Sequence, residues 1–326
     1  MKRREFITLL GGAAATWPLA ARAQQPALPV IGFLSFRSAD AAADIVVPFR
    51  QGLQQAGFVE GQNVAVEYRW AQDRAERLPA LADDLVRRRV AVILAAGNAA
   101  AVAAKTTTTS TPIVFFGSGD PIALGLVTAL NRPGGNVTGF TSLASQVVPK
   151  QLGLLRELVP KAALVAFLVN PNSPDTPSVT KAVEAAARTL ALQVLVLNAK
   201  TDADIDNAFA TLVRQRADAI LVGNDAFFNR RTTQLAVLAA RDALPAIYGF
   251  REYAVAGGLM SYGSSLADEC RQSGIYVGRI LKGEKAGDLP VLQATKFEFV
   301  INLKTAKALG IEIPPGVLAI ADEVIE

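Results

Sequence analysis

Histidine, the side chain most often used for proton transfer near neutral pH, is absent from the 326 residues of this chain. That removes Ser-His-Asp and Cys-His nucleophiles and every imidazole metal site. The single cysteine, Cys270, has no second cysteine with which to form a disulfide or a thiolate zinc site, and it falls in a helical pattern as a small core residue. Carboxylates, lysines and tyrosines remain for acid–base work. Asp83 and Asp84 are neighbours on a helical stretch, where their side chains diverge toward solvent. Gly117-Ser118-Gly119-Asp120-Pro121-Ile122 opens like a dinucleotide loop, but lacks the third glycine and puts proline in the helix start. Neither a phosphate loop ending in Gly-Lys-Ser/Thr nor a Gly-x-Ser-x-Gly elbow occurs.

What the chain offers instead is reversible hydrogen bonding. Ser35-Phe36-Arg37-Ser38, Gly97-Asn98, Gly117-Ser118-Gly119-Asp120, Asn170-Pro171-Asn172-Ser173, Gly223-Asn224-Asp225 and Tyr248-Gly249-Phe250-Arg251 are short loops rich in amides, hydroxyls and glycine. Each follows an apolar run and precedes a helix start or a turn. Glycine lets backbone approach a ligand, and helix starts offer free N–H groups that suit a carboxylate. The same residue types also cap helices and form turns; Asp120 before Pro121 has the makings of an N-cap. Phe36 and Tyr248 suit a core as well as a ligand platform, and Arg251 with Glu252 suits an exposed pair. The candidate ligand-binding set is Ser35, Phe36, Asn98, Ser118, Asp120, Asn170, Asn172, Asn224, Asp225, Tyr248 and Arg251, with no catalytic residue, metal or cofactor expected.

The elements that must carry these loops alternate between short apolar runs and amphipathic stretches. Strands are predicted at 30–36, 64–70, 90–96, 113–116 and 137–140, with helices at 47–56, 74–88 and 99–105. The plan repeats with strands at 164–169, 193–197, 219–222, 246–248 and 259–262 and helices at 178–190, 204–216 and 232–242. Continuous apolar strands such as Val-Ala-Val-Ile-Leu-Ala at 90–95 suit a parallel sheet covered on both faces. The reading is an α/β chain of two Rossmann-like lobes, each a parallel sheet flanked by helices, meeting near 141–147. A helix at 266–282, a strand at 297–301 and a helix at 303–309 follow, as if the chain crosses back to the first lobe and returns. Lobe 1 is expected to comprise 24–141 plus about 261–285, and lobe 2 142–260 plus about 286–326, joined by three segments. Ligands of open parallel sheets bind beyond the carboxyl ends of strands, so the loops of both halves would converge on one cleft.

Composition agrees with a binding protein of this kind. Half the residues are apolar and 19% are charged, enough for two globular cores and too few charges for a disordered chain. The net charge is +4, but Lys2, Arg3, Arg4 and Arg22 against Glu5 place three of those charges in residues 1–23. No basic stripe remains, so no nucleic acid is expected. Residues 1–23 read as a signal peptide: a basic start, an apolar run from Phe6 to Ala15, and Ala21-Arg22-Ala23 as cleavage site. Arg3-Arg4-Glu5-Phe6 suits twin-arginine export, the general route being the alternative. The mature chain would begin near Gln24, in the periplasm, soluble and without membrane insertion.

Several separated stretches are similar to the substrate-binding proteins of ABC importers, in the group related to tryptophan- and tyrosine-binding receptors. They are Gly57-Phe58-Val59-Glu60-Gly61-Gln62-Asn63-Val64, Asp120-Pro121 with Gly125-Leu126-Val127, and Pro133-Gly134-Gly135-Asn136-Val137-Thr138-Gly139. Gly257-Gly258-Leu259-Met260-Ser261-Tyr262-Gly263, Phe299-Val300-Ile301-Asn302-Leu303-Lys304-Thr305-Ala306 and Ala321-Asp322-Glu323-Val324-Ile325-Glu326 follow in order. The resemblance covers nearly all of 29–326. It implies a type I periplasmic-binding fold, a three-segment hinge, a small solute held between the lobes and an ABC permease as partner. It also implies polar strand-end positions matched here by Asn98, Ser118, Asp120, Asn170, Asn172, Asn224 and Asp225. After Tyr248 such receptors tend to carry an acidic pair, whereas this chain has Phe250-Arg251-Glu252, which points to an aromatic or carboxylate-bearing ligand rather than an ammonium one. A ligand-sensing receptor for a signalling protein, or an α/β enzyme, are the alternatives.

Overall fold

The computed structural model describes residues 28–326, so the leader reading lies outside the described residues. The first sheet begins with β1 (Val30–Ser35), β2 (Ala65–Trp70), β3 (Val92–Ala96), β4 (Ile113–Gly117) and β5 (Val137–Thr141). The helices between them are α1 (Ala43–Gln55), α2 (Leu78–Arg87) and α3 (Asn98–Thr107). In β3 every residue is buried, as continuous Val-Ile-Leu-Ala-Ala between two helical layers requires. At the sheet edge β2 is half exposed and alternates apolar residues with Glu67 and Arg69; Arg69 bridges Glu67 at 2.6 Å and Asp84 on α2 at 2.7 Å. Among these five strands the order is β5-β4-β3-β1-β2, all parallel.

The second sheet repeats that wiring. It begins with β6 (Leu164–Val169), β7 (Gln193–Asn198), β8 (Ala219–Val222), β9 (Ala246–Tyr248) and β10 (Met260–Ser264), in the order β10-β9-β8-β6-β7. Its helices are α4 (Ala144–Leu158), α5 (Thr176–Thr189), α6 (Asp202–Gln215), the single turn α7 (Ala226–Asn229), α8 (Thr232–Arg241) and α9 (Arg251–Val255). A capping box on Thr201, whose side chain accepts from Asp204 N while Asp204 reaches back, fixes the start of α6. Both lobes thus reverse strand order between their first and third strands, and each has a crevice at the carboxyl ends there.

The longer strands and helices mostly match the periodicity, while α4 and the short helices α7 and α9 are not anticipated. In α4, Pro149 and Gly153 interrupt the 15 residues and obscure the pattern. The fold accommodates Pro149 because burial of Val148, Leu152, Leu155 and Leu158 on one face outweighs the missing backbone bond.

The chain then returns to the first sheet. Helix α10 (Leu266–Leu281) lies along α1, and β11 (Leu292–Gln293) extends the first sheet beyond β5. The backbones of α10 and α1 touch through glycines: a Cβ on Gly274 would stand 2.2 Å from Phe49 O, and one on Gly52 1.8 Å from Arg271 O. Next come β12 (Phe297–Asn302), α11 (Leu303–Ala308), α12 (Pro315–Ala319) and β13 (Glu323–Ile325), which complete the second sheet. The crossings therefore fall later than the expected 261 and 285: β10 belongs to the second sheet through Ser264, and β11 keeps the chain in the first through Gln293. Neither strand's sheet is visible to single-chain periodicity, which reads an apolar run but not its neighbour. One pairing also breaks the all-parallel expectation. Ser264 leaves β10 for the first lobe exactly where Phe297 enters β12, and the two strands run antiparallel. A strand that enters at the end where its neighbour exits has no other direction available.

Candidate functional site

The loops beyond the two strand-order reversals face one another across a cleft of about 110 Å³ that opens to solvent. From the first lobe come Phe36 and Arg37 after β1, Asp73 after β2, Asn98 at the start of α3, and Ser118 after β4. From the second come Asn170, Asn172 and Ser173 after β6, Lys200 after β7, and Asn224, Asp225 and Asn229 around α7. Phe36, Ile45, Phe116, Phe250 and Leu266 give the cleft apolar walls.

The polar side chains form a connected web. Asn98 accepts from Gly119 N at 3.1 Å through Oδ1 and donates to Ser118 Oγ at 3.2 Å through Nδ2. Gly117 leaves room for this, since a Cβ there would stand 2.2 Å from Asn98 Oδ1. The Ser118 hydroxyl crosses the cleft to Asp175 Oδ2 at 3.1 Å, with Asn224 O at 3.3 Å. Asp175 is also held by Ser173 Oγ at 2.6 Å. Asp225 caps α7, accepting from Phe227 N at 2.8 Å and from Asn170 Nδ2 at 2.9 Å. Burial pushes its carboxyl above the ordinary range despite those donors. Asn229 donates to Asn224 Oδ1 at 3.2 Å and accepts from the Tyr253 hydroxyl at 3.1 Å.

A second link joins the lobes at the cleft mouth. Arg230 pairs with Asp73, and Arg231 stands 3.8 Å from the same carboxylate while also pairing with Asp202. Asp73 sits in a left-handed turn (φ 60°) whose N–H donates to Phe36 O at 2.9 Å, so the β2 loop is fastened to the β1 loop. At the floor, Glu269 on α10 accepts from the Ser264 hydroxyl at 2.6 Å. Burial raises its carboxyl to about 7.

Of the residues expected from the sequence, Phe36, Asn98, Ser118, Asn170, Asn172, Asn224 and Asp225 line this cleft. The other four do not. Ser35 is buried beneath it and accepts from Arg37 N at 3.2 Å. Asp120 caps the following turn, accepting from Ile122 N at 2.9 Å and Ala123 N at 3.3 Å. Tyr248 is fully buried and stacks on Tyr253 at 4.4 Å between ring centres, its hydroxyl raised well above the ordinary range by burial. Arg251 turns outward and is held by both oxygens of Glu323 at 2.6 Å, so it is not a ligand's carboxylate partner. Asp120, Tyr248 and Arg251 end or follow strands away from the reversal points, and Ser35 lies below the end of its strand. Asp73 and Lys200 escaped the sequence reading because they follow the edge strands, although the same strand-end rule reaches them. Glu269 carries no such signal, since it comes from a helix that crosses over from the far end of the chain.

Most of the chain has counterparts of known kind. It is 25% identical over 264 residues to a tyrosine-binding protein of Clostridioides difficile, covering 81% of this chain and 76% of that one. Among solved structures, a conserved domain protein of Vibrio cholerae superposes with a TM-score of 0.85 at 26% identity, covering 91% of this chain and 99% of the other. An ABC domain from Streptococcus pneumoniae in complex with L-Trp superposes with a TM-score of 0.82 at 25% identity, covering 91% and 100%. The two-sheet architecture is that of type I periplasmic binding proteins. Residues 30–325 match the sequence profile of the ABC transporter substrate binding proteins, and the chain belongs to that family.

Proposed function

We propose that this chain is the periplasmic receptor of an ABC importer, and that it captures one small solute with an apolar or aromatic body between its lobes without transforming it. The observation that carries this reading is the meeting of two strand-order reversals, one from each lobe, on a single cleft with phenyl walls and amide and hydroxyl rims. Related proteins named for tyrosine and crystallised with L-Trp support an aromatic solute. The basic, apolar leader supports export, and no helix among the described residues is long and apolar enough to cross a membrane.

The three crossings at 141–144, 264–266 and 293–297 serve as the hinge. Bonds from Ser118 to Asp175 and from Asp73 to Arg230 span the cleft, which describes a closed arrangement. A ligand favours that arrangement by the contacts it makes with both lobes at once. The permease then recognises the closed pair of lobes. Chemistry on the solute has little to work with: the chain lacks histidine, and of the cleft carboxylates, Asp73, Asp225 and Glu269 are each engaged by a protein donor, while Glu76 is exposed.

Titration of the purified mature protein with L-tyrosine, L-tryptophan, 3-phenylpropionate and D-glucose tests the proposal. An aromatic probe should raise the melting temperature in step with the logarithm of its concentration above saturation and be recovered unchanged. Conversion of the probe, or a response to glucose alone, would overturn it.

A further inference from the structure

The cleft's ionisable side chains are Arg37, Asp73, Glu76, Lys200, Asp225 and Glu269. Glu76 and Lys200 are exposed. Asp225 is capped by Asn170 and Phe227 N, Asp73 is paired with Arg230, and Glu269 accepts from Ser264. Arg37 differs. It is only 4% exposed, and its guanidinium is engaged on one side only: Nη1 donates to both oxygens of Asp44 at 2.7 Å and lies 3.5 Å from Ala41 O. Neither Nε nor Nη2 has a hydrogen-bond partner among the described residues. This pair forms the side-on fork that matches the two oxygens of a carboxylate.

The surroundings favour the same guest. Arg37 stands at the first lobe's strand-order reversal, where β1 and β3 run side by side with Ser35 opposite Ala96. Beyond Ala96, α3 starts from Gly97 without a side-chain cap, and Asn98, Ala99 and Ala100 of its first turn line the cleft. Uncapped N–H groups of a ten-residue helix add partial positive charge to that wall. Arg37 is also fixed in place: its N–H donates to Ser35 Oγ at 3.2 Å, and its carbonyl accepts from Gln72 N at 3.2 Å.

We infer that Arg37 anchors a carboxylate of the solute through its free Nε–Nη2 edge, so that this receptor selects organic acids with an apolar body. The inference rests on the receptor reading above and names the ligand class of that cleft.

The test is calorimetric titration with matched probes: 3-(4-hydroxyphenyl)propionate and indole-3-propionate as acids, tyramine and tryptamine as amines of the same rings. The acids should bind at least tenfold more tightly than the amines. Arg37→Gln should cost the acids tenfold or more and leave the amines unchanged, and Arg37→Lys, which lacks the fork, should restore only part of the loss. Asp44→Asn breaks the ion pair but keeps the cleft edge, so it should preserve the acid preference; loss of that preference in Asp44→Asn would assign Arg37 a structural role instead. Amines that bind as tightly as acids, or acid affinity untouched by Arg37→Gln, would overturn the anchor while leaving the receptor standing. Silence from all four probes together with the amino acids and glucose would overturn the receptor reading and the anchor with it.

Discussion

The hydroxyl of Ser118, on the first lobe, lies 3.1 Å from Asp175 Oδ2 on the second, with both residues buried. This bond joins the two halves at the inner end of the cleft, and Asp73 with Arg230 joins them at the outer end. The closed arrangement therefore has polar contacts of its own, besides those a ligand adds.

Arg230 does not line the cleft, so it separates closure from ligand contact. Arg230→Gln should shift the lobes toward the open arrangement and weaken every ligand by the same factor, about two- to tenfold. Small-angle X-ray scattering should show a larger radius of gyration for the ligand-free variant. A loss confined to one ligand class would contradict this.

Asp120 and Asn224 divide capping from binding. Asp120→Ala removes two backbone contacts outside the cleft and should cost about 1 kcal/mol of stability with unchanged affinity. Asn224→Ala, inside the cleft, should weaken binding severalfold. Urea unfolding and calorimetry on both variants provide the check. Arg251→Ala, an exposed pair with Glu323, should leave affinity unchanged and move stability by no more than about 1 kcal/mol.

Glu269 gives the protein a pH dependence of known sign. Its folded carboxyl sits at about 7, above the ordinary 4.5, because burial disfavours the charge. Between those values the folded state holds the proton more tightly than the unfolded state does. Its contribution is therefore fully present below about 4.5 and is lost as pH rises through about 7. Glu269→Gln should flatten that slope and raise stability at pH 8 by up to about 3 kcal/mol relative to the parent, with little difference at pH 4.5. Chemical denaturation across pH 4.5–8 measures it.

Gly274 lies against the backbone of α1, where a Cβ would stand 2.2 Å from Phe49 O. Gly274→Ala should force α10 away from α1 and cost about 2–4 kcal/mol, despite alanine's better helix propensity. A thermal midpoint equal to that of the parent would show that the two helices can part at no cost.

The sequence made the wiring legible wherever an element spoke for itself. Buried parallel strands such as Val-Ile-Leu-Ala-Ala in β3 are apolar throughout and bounded by glycine and asparagine, so their ends and their loops could be read directly. Phe36, Asn98, Ser118, Asn170, Asn172, Asn224 and Asp225 follow such strands and line the cleft. Arg251 lies outside it, because charge along a chain cannot reveal its partner Glu323, 72 positions away. Tyr248 was ambiguous for a related reason: an aromatic ring at a strand end can stack inward on Tyr253 as easily as face a solute. The crossings were misplaced by a few residues because membership of a sheet depends on neighbours, and Ser264 and Gln293 carry no mark of theirs.

The placement of α10 on α1 bears on how the polypeptide is made. Residues 28–141 emerge from the ribosome with one face of their sheet covered by α1 but not yet by α10, which begins only at Leu266. The second sheet waits longer still, for β12 and β13. Each sheet therefore stays incomplete until residues far along the chain have been made, Gln293 for the first and Ile325 for the second, so a chain stalled before them leaves apolar surface exposed.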